Sequence, residues 1–420
     1  MIVATHVGLL VLSVYLIVKS SDSLVDLASG IGRKAKLSDY FIGSFIVGIG
    51  TSLPELFTSV AAANSGSPEL VSPNIFGTVI ANLGLGFGLG VLALFFFVRA
   101  EDGRLRVFTR AHAFSNGYLN FGDTNASPVI FASLSVLLTL VLCLDNKFGR
   151  LDAVLFAVLY ITFMGWQFYQ SRSQQPAEIP HPTSKEISHT RSKQSLFAKA
   201  LRVILPTGIA LLFAGVLFII PDARQELFEV ATGGFALYCF MGGLLLLLIF
   251  QIWDYLPELR GTGGPESSNV ANVPILMGIL LLGLIIAVLY SSGVIVVGSL
   301  VKLSEDLGIN SGALAASALA IGTSLPDIVV ALNVTRRGRH KLLVGHIFQS
   351  NVFDALLIMA VCGFIIPLPD VASGPSMICI VASVILTLPM LWTLRSRKLT
   401  ALGGMGLFIG FLVFQFLLYG

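Results

Sequence analysis

Two stretches decide how this chain is read: Ile49-Gly50-Thr51-Ser52-Leu53-Pro54-Glu55 and Ile321-Gly322-Thr323-Ser324-Leu325-Pro326-Asp327. The letters from Ile to Pro are identical, and a carboxylate closes each copy. Sliding the chain on itself by 272 residues, without a gap, extends the match to Gly66 on Gly338, Leu70 on Leu342 and Ile75-Phe76 on Ile347-Phe348. The same shift sets Thr78 on Ser350 and Asn82 on Asp354. A polar motif repeated at one spacing marks an internal duplication, which governs everything else that is read from a sequence.

Each copy is set in apolar sequence. Of 420 residues, 55% are hydrophobic and 12% are Asp, Glu, Lys or Arg, against roughly 25% charged in soluble domains. The apolar residues gather into runs of about twenty, the length that crosses a bilayer as a helix. That excludes a cytosolic enzyme, a nucleic-acid-binding module and a disordered chain, and predicts an all-α polytopic protein embedded in lipid. Spans are expected near 2–19, 38–63, 70–98, 127–145, 150–170, 201–220, 227–253, 274–303, 310–334, 342–366, 374–394 and 400–419. The N-terminal run has no basic region ahead of it and reads as the first span, not as a cleaved leader. Cys143, Cys239, Cys362 and Cys379 are scattered singly in apolar sequence, which supports neither a disulfide framework nor a zinc site.

The halves follow from the repeats. Residues 1–170 form a first membrane half with repeat 1 at about 42–90, and residues 274–420 a second half with repeat 2 at about 314–362. Between them lie a Ser-, Pro- and Gln-rich linker over 171–200 and two extra spans over 201–253. The linker composition is that of a solvated tether. Lys and Arg collect on alternate loops: after spans one, three, five, nine and eleven, but not near 64–69 or 366–375. By the positive-inside rule those basic loops and the linker face the cytoplasm, and both termini lie outside. Spans two and nine are an odd number of crossings apart, so the two copies traverse the membrane in opposite senses. Inverted repeats of this kind place a transport site near the midplane.

The residue types point to a cation. Proline has no N–H, so Pro54 leaves the carbonyl of Gly50, and Pro326 that of Gly322, without its helical donor. Thr51 and Ser52 precede Glu55 by four and three residues, a helical spacing that sets their hydroxyls on the face of its carboxylate. Thr323, Ser324 and Asp327 repeat this. Thr78 with Asn82, and Ser350 with Asp354, are one helical turn apart and complete the set from the neighbouring helix. All the candidate ligands are oxygens, which suit hard cations such as Ca2+ or Na+. Each of Glu55, Asp327 and Asp354 costs about 2.5–3.5 kcal/mol at a helix centre, which a bound ion offsets. The Gly84, Gly86, Gly88 and Gly90 run lies inside a span with no strand before it, and reads as close helix packing and not as a nucleotide loop.

The paired GTSLPE and GTSLPD segments, with Ser350-Asn351-Val352-Phe353-Asp354 in the second copy, resemble the two alpha-repeats of the calcium:cation antiporter superfamily, sodium/calcium exchanger branch. The resemblance implies a core of five plus five helices, with about two extra helices between the halves, and alternating access. It also implies Ca2+ export driven by Na+ entry, with no catalysis and no cofactor. Carried onto this sequence, the ion ligands are Thr51, Ser52, Glu55, Thr78 and Asn82 from the first copy. From the second they are Thr323, Ser324, Asp327, Ser350 and Asp354. A bacterial inner membrane is the expected location, inorganic cations and the bilayer are the expected partners, and nucleic acid is not one.

The chain departs from the family's usual Gly-Asn…Gly-Ser-Asn run. The first copy reads Pro73-Asn74…Gly77-Thr78-Val79, the second Gly345-His346…Gln349-Ser350-Asn351. His346 inside a span is a candidate proton-coupling group, which makes H+ the alternative driving ion. Two other readings of these residues are an intramembrane aspartyl hydrolase on Asp327 and Asp354 and a transport-dead sensor on the same fold. The hydrolase leaves Glu55 and the first TSLP unexplained.

Overall fold

A computed structural model describes residues 2–34, 48–99, 105–107, 119–120, 126–173, 242, 245, 275–336, 340–371, 373–396 and 398–419. Apart from Gly242 and Leu245, the expected extra spans lie outside the described residues, as do linker residues 174–200 and the first part of the second expected span. Seven described helices are long and apolar enough to cross a bilayer: Pro68–Ala93, Ser127–Asp145, Arg150–Tyr169, Gly283–Leu307, Leu343–Ile365, Gly374–Trp392 and Ala401–Tyr419. Each falls on an expected span. The bent pair Ser311–Thr323 and Leu325–Leu332 makes an eighth, kinked by 48° at the repeated motif.

The chain divides into two units, residues 1–50 with 174–303, and residues 51–173 with 304–420. The first holds the helix Ile2–Lys34, the helical turn Gly48–Gly50, and the helix Ile275–Leu307 as far as Leu303. Ser291 and Ser292 donate back to the carbonyls of Ala287 and Val288 at 2.8 and 2.7 Å, which hides their hydroxyls within the apolar helix. The carbonyl of Gly50, which Pro54 cannot serve, accepts from Ser21 Oγ at 2.6 Å. A serine one helix away therefore replaces the missing backbone donor.

The second unit holds both copies of the motif. In repeat 1 the helix Leu53–Asn64 turns through Pro68–Leu70 into Val71–Ala81, which continues as a π-helical stretch, Asn82–Gly88, and then Leu89–Phe96. Repeat 2 runs Leu325–Arg336, His340–Val352, a π-helical stretch Phe353–Ile358, and Met359–Ile365. Pro68–Leu70, the turn of repeat 1, packs on Leu368–Pro369, which follows the last helix of repeat 2. Phe97–Arg99, which follows the last helix of repeat 1, packs on Leu325–Arg336, the helix leading into the turn of repeat 2. The turn of one repeat meets the exit of the other, so the copies are inverted.

Short strands tie the loops by face. Lys147–Phe148 pairs antiparallel with Leu368–Pro369, and Leu119–Asn120 with Lys398–Leu399. The spanning helix Ser127–Leu142 separates these two pairings, so each joins loops expected on the same side of the membrane. The glycine run seats the last helix. A Cβ at Gly84 would stand 2.3 Å from Phe411 Cβ, and one at Gly88 would stand 3.1 Å from the carbonyl oxygen of Gly404. The core between the repeats is apolar, with Ile75, Phe76, Ile347 and Phe348 buried and the rings of Phe87 and Phe348 edge to face at 5.6 Å. Cys143, Cys362 and Cys379 are buried free thiols, and Cys239 lies outside the described residues.

Candidate cation site

The repeated motif is a break between two helices. The turn Gly48–Gly50 stops, Thr51 and Ser52 leave helical geometry, and Leu53–Asn64 starts anew with Pro54 in its first turn. Proline is at home there because the N–H it lacks has no helical acceptor in that turn. Thr51 and Ser52 therefore lie ahead of the helix that carries Glu55 and not within it, because Pro54 stands in its first turn. In the second copy Ala320–Thr323 ends at Ser324 and Leu325–Arg336 begins. Glu55 and Asp327 therefore both sit in the first turn of a half-helix, where the positive end of the helix dipole favours a carboxylate.

The structure brings all ten candidates into the second unit, on elements packed against one another. Ser52, Glu55, Thr78, Asn82, Thr323, Ser324, Asp327, Ser350 and Asp354 are buried, and Thr51 is partly exposed. Two residues outside the ten join them, the candidate proton-coupling group His346 and Asn351. His346 Nε2 lies 3.3 Å from Asp327 Oδ1, and Asn351 Oδ1 accepts from Asn82 Nδ2 at 3.1 Å.

The protons in this cluster can be counted. Ser350 Oγ donates to Asp327 Oδ2. A hydroxyl has one proton to give, so Ser52 must be the donor in its 2.7 Å contact with Ser350 Oγ. That contact also takes Ser52 away from the N-capping role its position invites, and it makes no side-chain cap bond. Asn82 Nδ2 supplies a further donor to Asp327 Oδ2 at 3.3 Å, and the Thr51 hydroxyl also acts on Asp327. Thr323 donates back to the carbonyl of Leu319 at 3.1 Å and Ser324 to that of Ala320 at 2.6 Å. Both hydroxyls also adjoin the Glu55 carboxylate.

What remains is a set of buried oxygens that no proton reaches. Among the described residues, both carboxylate oxygens of Glu55, both of Asp354, Asp327 Oδ1, Asn82 Oδ1 and Thr78 Oγ1 have no hydrogen-bond partner. Buried polar atoms are nearly always paired in native proteins, and buried carboxylates more stringently still. Among the described residues no three His, Cys, Asp or Glu side chains close on one point in the manner of a metal centre. A cation would instead be held by carboxylates together with amide and hydroxyl oxygens, the donor set of a hard ion.

The comparisons with known proteins bear on this geometry. The model of the sodium/calcium exchanger protein family matches residues 5–169 and 275–420. The chain belongs to that family. The matched halves leave out the region of the linker and extra spans. Sodium/calcium exchanger MaX1 of Methanosarcina acetivorans is 42% identical over 84 residues, which is 20% of this chain and 24% of that protein. The putative antiporter CaxA of Alkalimonas amylolytica is 22% identical over 417 residues, covering 96% and 95% of the two chains. In fold, the chain is similar to the sodium-calcium exchanger NCX_Mj, with TM-score 0.50, 19% identity and coverage of 98% and 97%. It is also similar to the H+/Ca2+ exchanger CAX, with TM-score 0.60, 16% identity and coverage of 99% and 82%. The exchanger-family protein is a polytopic membrane antiporter of the cation/Ca2+ class and not an enzyme, which disposes of the hydrolase reading.

Proposed function

We propose that this exchanger-family protein carries Ca2+ against Na+ by alternating access, with the ions held in the cluster formed by Thr51, Ser52, Glu55, Thr78 and Asn82 and by Thr323, Ser324, Asp327, Ser350 and Asp354. The observation that carries the reading is the pair of fully buried, unpartnered carboxylates of Glu55 and Asp354 beside unpartnered amide and hydroxyl oxygens. Two uncompensated negative charges at membrane depth require cations. One divalent ion or two monovalent ions satisfy them, and release of one kind is favourable only when the other replaces it. That mutual exclusion is the basis of exchange. The inverted repeats supply the two arrangements that open the site to either side in turn. The charge of its loops favours both termini outside and residues 171–200 in the cytoplasm, and the family resemblance favours a bacterial inner membrane.

A second reading, proton-driven exchange, draws support from His346 placed against Asp327. Radiolabelled Ca2+ uptake into proteoliposomes loaded with Na+ and diluted into Na+-free buffer decides between them. Uptake that follows the Na+ gradient and vanishes in Glu55→Gln supports Na+/Ca2+ exchange. Uptake that needs only a pH gradient replaces Na+ with H+, and binding without gradient-driven flux points to a sensor.

A further inference from the structure

The broken span of repeat 2 is irregular in a second place, ahead of its break. Its first half starts as Ser311–Leu314, passes through a π-helical stretch, Ala315–Leu319, and ends as Ala320–Thr323. Asn310 fixes the start, accepting from the N–H groups of Gly312 and Ala313 at 2.9 and 3.2 Å. At the far end of the π-helical stretch the N–H of Ala320 reaches back five residues to the carbonyl of Ala315. Such turns are rare and gather at functional sites. An α-helix turns about 100° per residue, so trading this π turn for an α turn, a shift of one residue in hydrogen bonding, would rotate Ala320–Thr323 by about that angle against its cap. Two neighbours hold the stretch. The helix Val71–Ala81 packs on it, with Gly77 so close that a Cβ there would stand 2.4 Å from the carbonyl oxygen of Ala316. The other is Tyr419 of Ala401–Tyr419, whose hydroxyl meets Ser317 Oγ and stands 3.4 Å from the carbonyl oxygen of Ala313. Ser317 Oγ gives its one proton to that carbonyl at 2.7 Å, so Tyr419 is the donor to Ser317. The tyrosine is half-exposed and the serine buried, so a phenol at the surface reaches a relay inside.

We infer that Tyr419 is a positioning residue for exchange: its hydroxyl, acting through Ser317 on Ala313, clasps the π-helical stretch and thereby sets the rotation of the segment that leads into the second break. The inference rests on the reading of that break as part of the transport site, and it gives Tyr419 no contact with an ion. The clasp ties the last described helix to the first half of the broken span by hydroxyls alone. Phenylalanine at 419 keeps the ring and its packing and removes only the donor.

Two measurements on the purified full chain separate the clasp from the transport reading. Hydrogen–deuterium exchange over residues 311–323 reads the clasp alone: in Tyr419→Phe and in Ser317→Ala it should quicken about 2- to 12-fold, the scale of one hydrogen bond. Ca2+ uptake into proteoliposomes, under whichever of a Na+ and a H+ gradient drives it, reads the positioning. The half-saturating Ca2+ concentration should rise by a similar factor in both variants. In the double variant it should rise no further than in the larger single one, because both substitutions remove the same relay. A purely structural role would lower the amount of folded protein, and so the maximal rate, with half-saturation unchanged. Unchanged half-saturation in Tyr419→Phe, or full additivity in the double variant, overturns the inference. If Ser317→Ala fails to fold, Tyr419→Phe decides alone. Hydrogen exchange that does not quicken overturns the clasp itself. Quickening in the variants of a protein whose wild type takes up no Ca2+ under either gradient overturns the exchange reading instead, and the positioning role with it.

Discussion

The two copies of the motif share the letters IGTSLP and differ in what surrounds their acids. In repeat 1, Glu55 stands with both oxygens unpartnered among the described residues, and Asn74 turns away from it to donate to Thr58 and Ser59 at 3.3 and 3.1 Å. In repeat 2 the residue at the place of Asn74 is His346, which faces Asp327 at 3.3 Å. One helix further on the balance reverses: Asn82 of repeat 1 donates to Asp327 and Asn351, whereas both carboxylate oxygens of Asp354 in repeat 2 lack a hydrogen-bond partner among the described residues. The difference teaches that a duplicated sequence need not make a duplicated site. Glu55 and Asp354 keep both carboxylate oxygens unpartnered among the described residues, whereas Asp327 keeps only Oδ1 so.

The strongest test of this asymmetry is charge removal. Glu55→Gln and Asp354→Asn should each abolish gradient-driven Ca2+ exchange, at a cost of about 2–5 kcal/mol in ion binding, with folding and membrane insertion intact. Thermal unfolding checks binding independently. Ca2+ at a hundred times its dissociation constant stabilises a protein by about 2.7 kcal/mol, and that increment should disappear in both variants. Normal exchange in Asp354→Asn would return the site to the symmetric pair Glu55 and Asp327, and normal exchange in Glu55→Gln would take the site away from the repeated motif.

A smaller effect concerns backbone, not charge. Gly77 and Gln349 occupy equivalent places in the repeats. A Cβ at Gly77 would stand 2.4 Å from the carbonyl oxygen of Ala316, a contact that no rotamer change relieves. Gly77→Ala should therefore destabilise by about 1–3 kcal/mol, read as a lower melting temperature and less monodisperse protein on size exclusion. Gln349→Ala should cost no more than about 1 kcal/mol. Equal losses at both positions would mean that the repeats pack alike after all.

How much of this the sequence carried varies by level. The spans were legible because twenty apolar residues have few alternatives in water or lipid, and the inversion followed from counting crossings. The ten candidate residues were legible because the motif is repeated. Their proton inventory was not, since nothing in the letters says whether Thr323 and Ser324 face the site or donate back to their helix. The break at Thr51–Ser52 was half legible: Pro54 announces it, but proline at a first helical turn and proline within a helix look the same in a string. Asn351 entered the network through Asn82, a contact between residues 269 apart that no local spacing foretells. The π-helical stretches at Asn82 and Phe353 left no residue signature at all.

The finest test of the asymmetry uses two hydroxyls that the repeat makes equivalent, Thr78 and Ser350. Ser350 is a link in a chain: it accepts from Ser52 and donates to Asp327. Ser350→Ala leaves a buried hydroxyl and a buried carboxylate oxygen each short of a partner, and should lower stability by about 1–3 kcal/mol. Thr78 Oγ1 is equally buried but has no hydrogen-bond partner among the described residues. Valine has nearly the shape of threonine without the desolvated hydroxyl, so Thr78→Val should leave the Ca2+-free protein as stable as the wild type or raise it by about 1 kcal/mol. The same variant should bind Ca2+ more weakly, because the oxygen it lacks is kept for the ion. Thermal unfolding with and without Ca2+ reads both signs at once: Ser350→Ala falls in each condition, whereas Thr78→Val falls only where Ca2+ is present. If Thr78→Val is destabilised without Ca2+, its hydroxyl serves the fold, and the two repeats are more alike than their hydrogen bonds indicate.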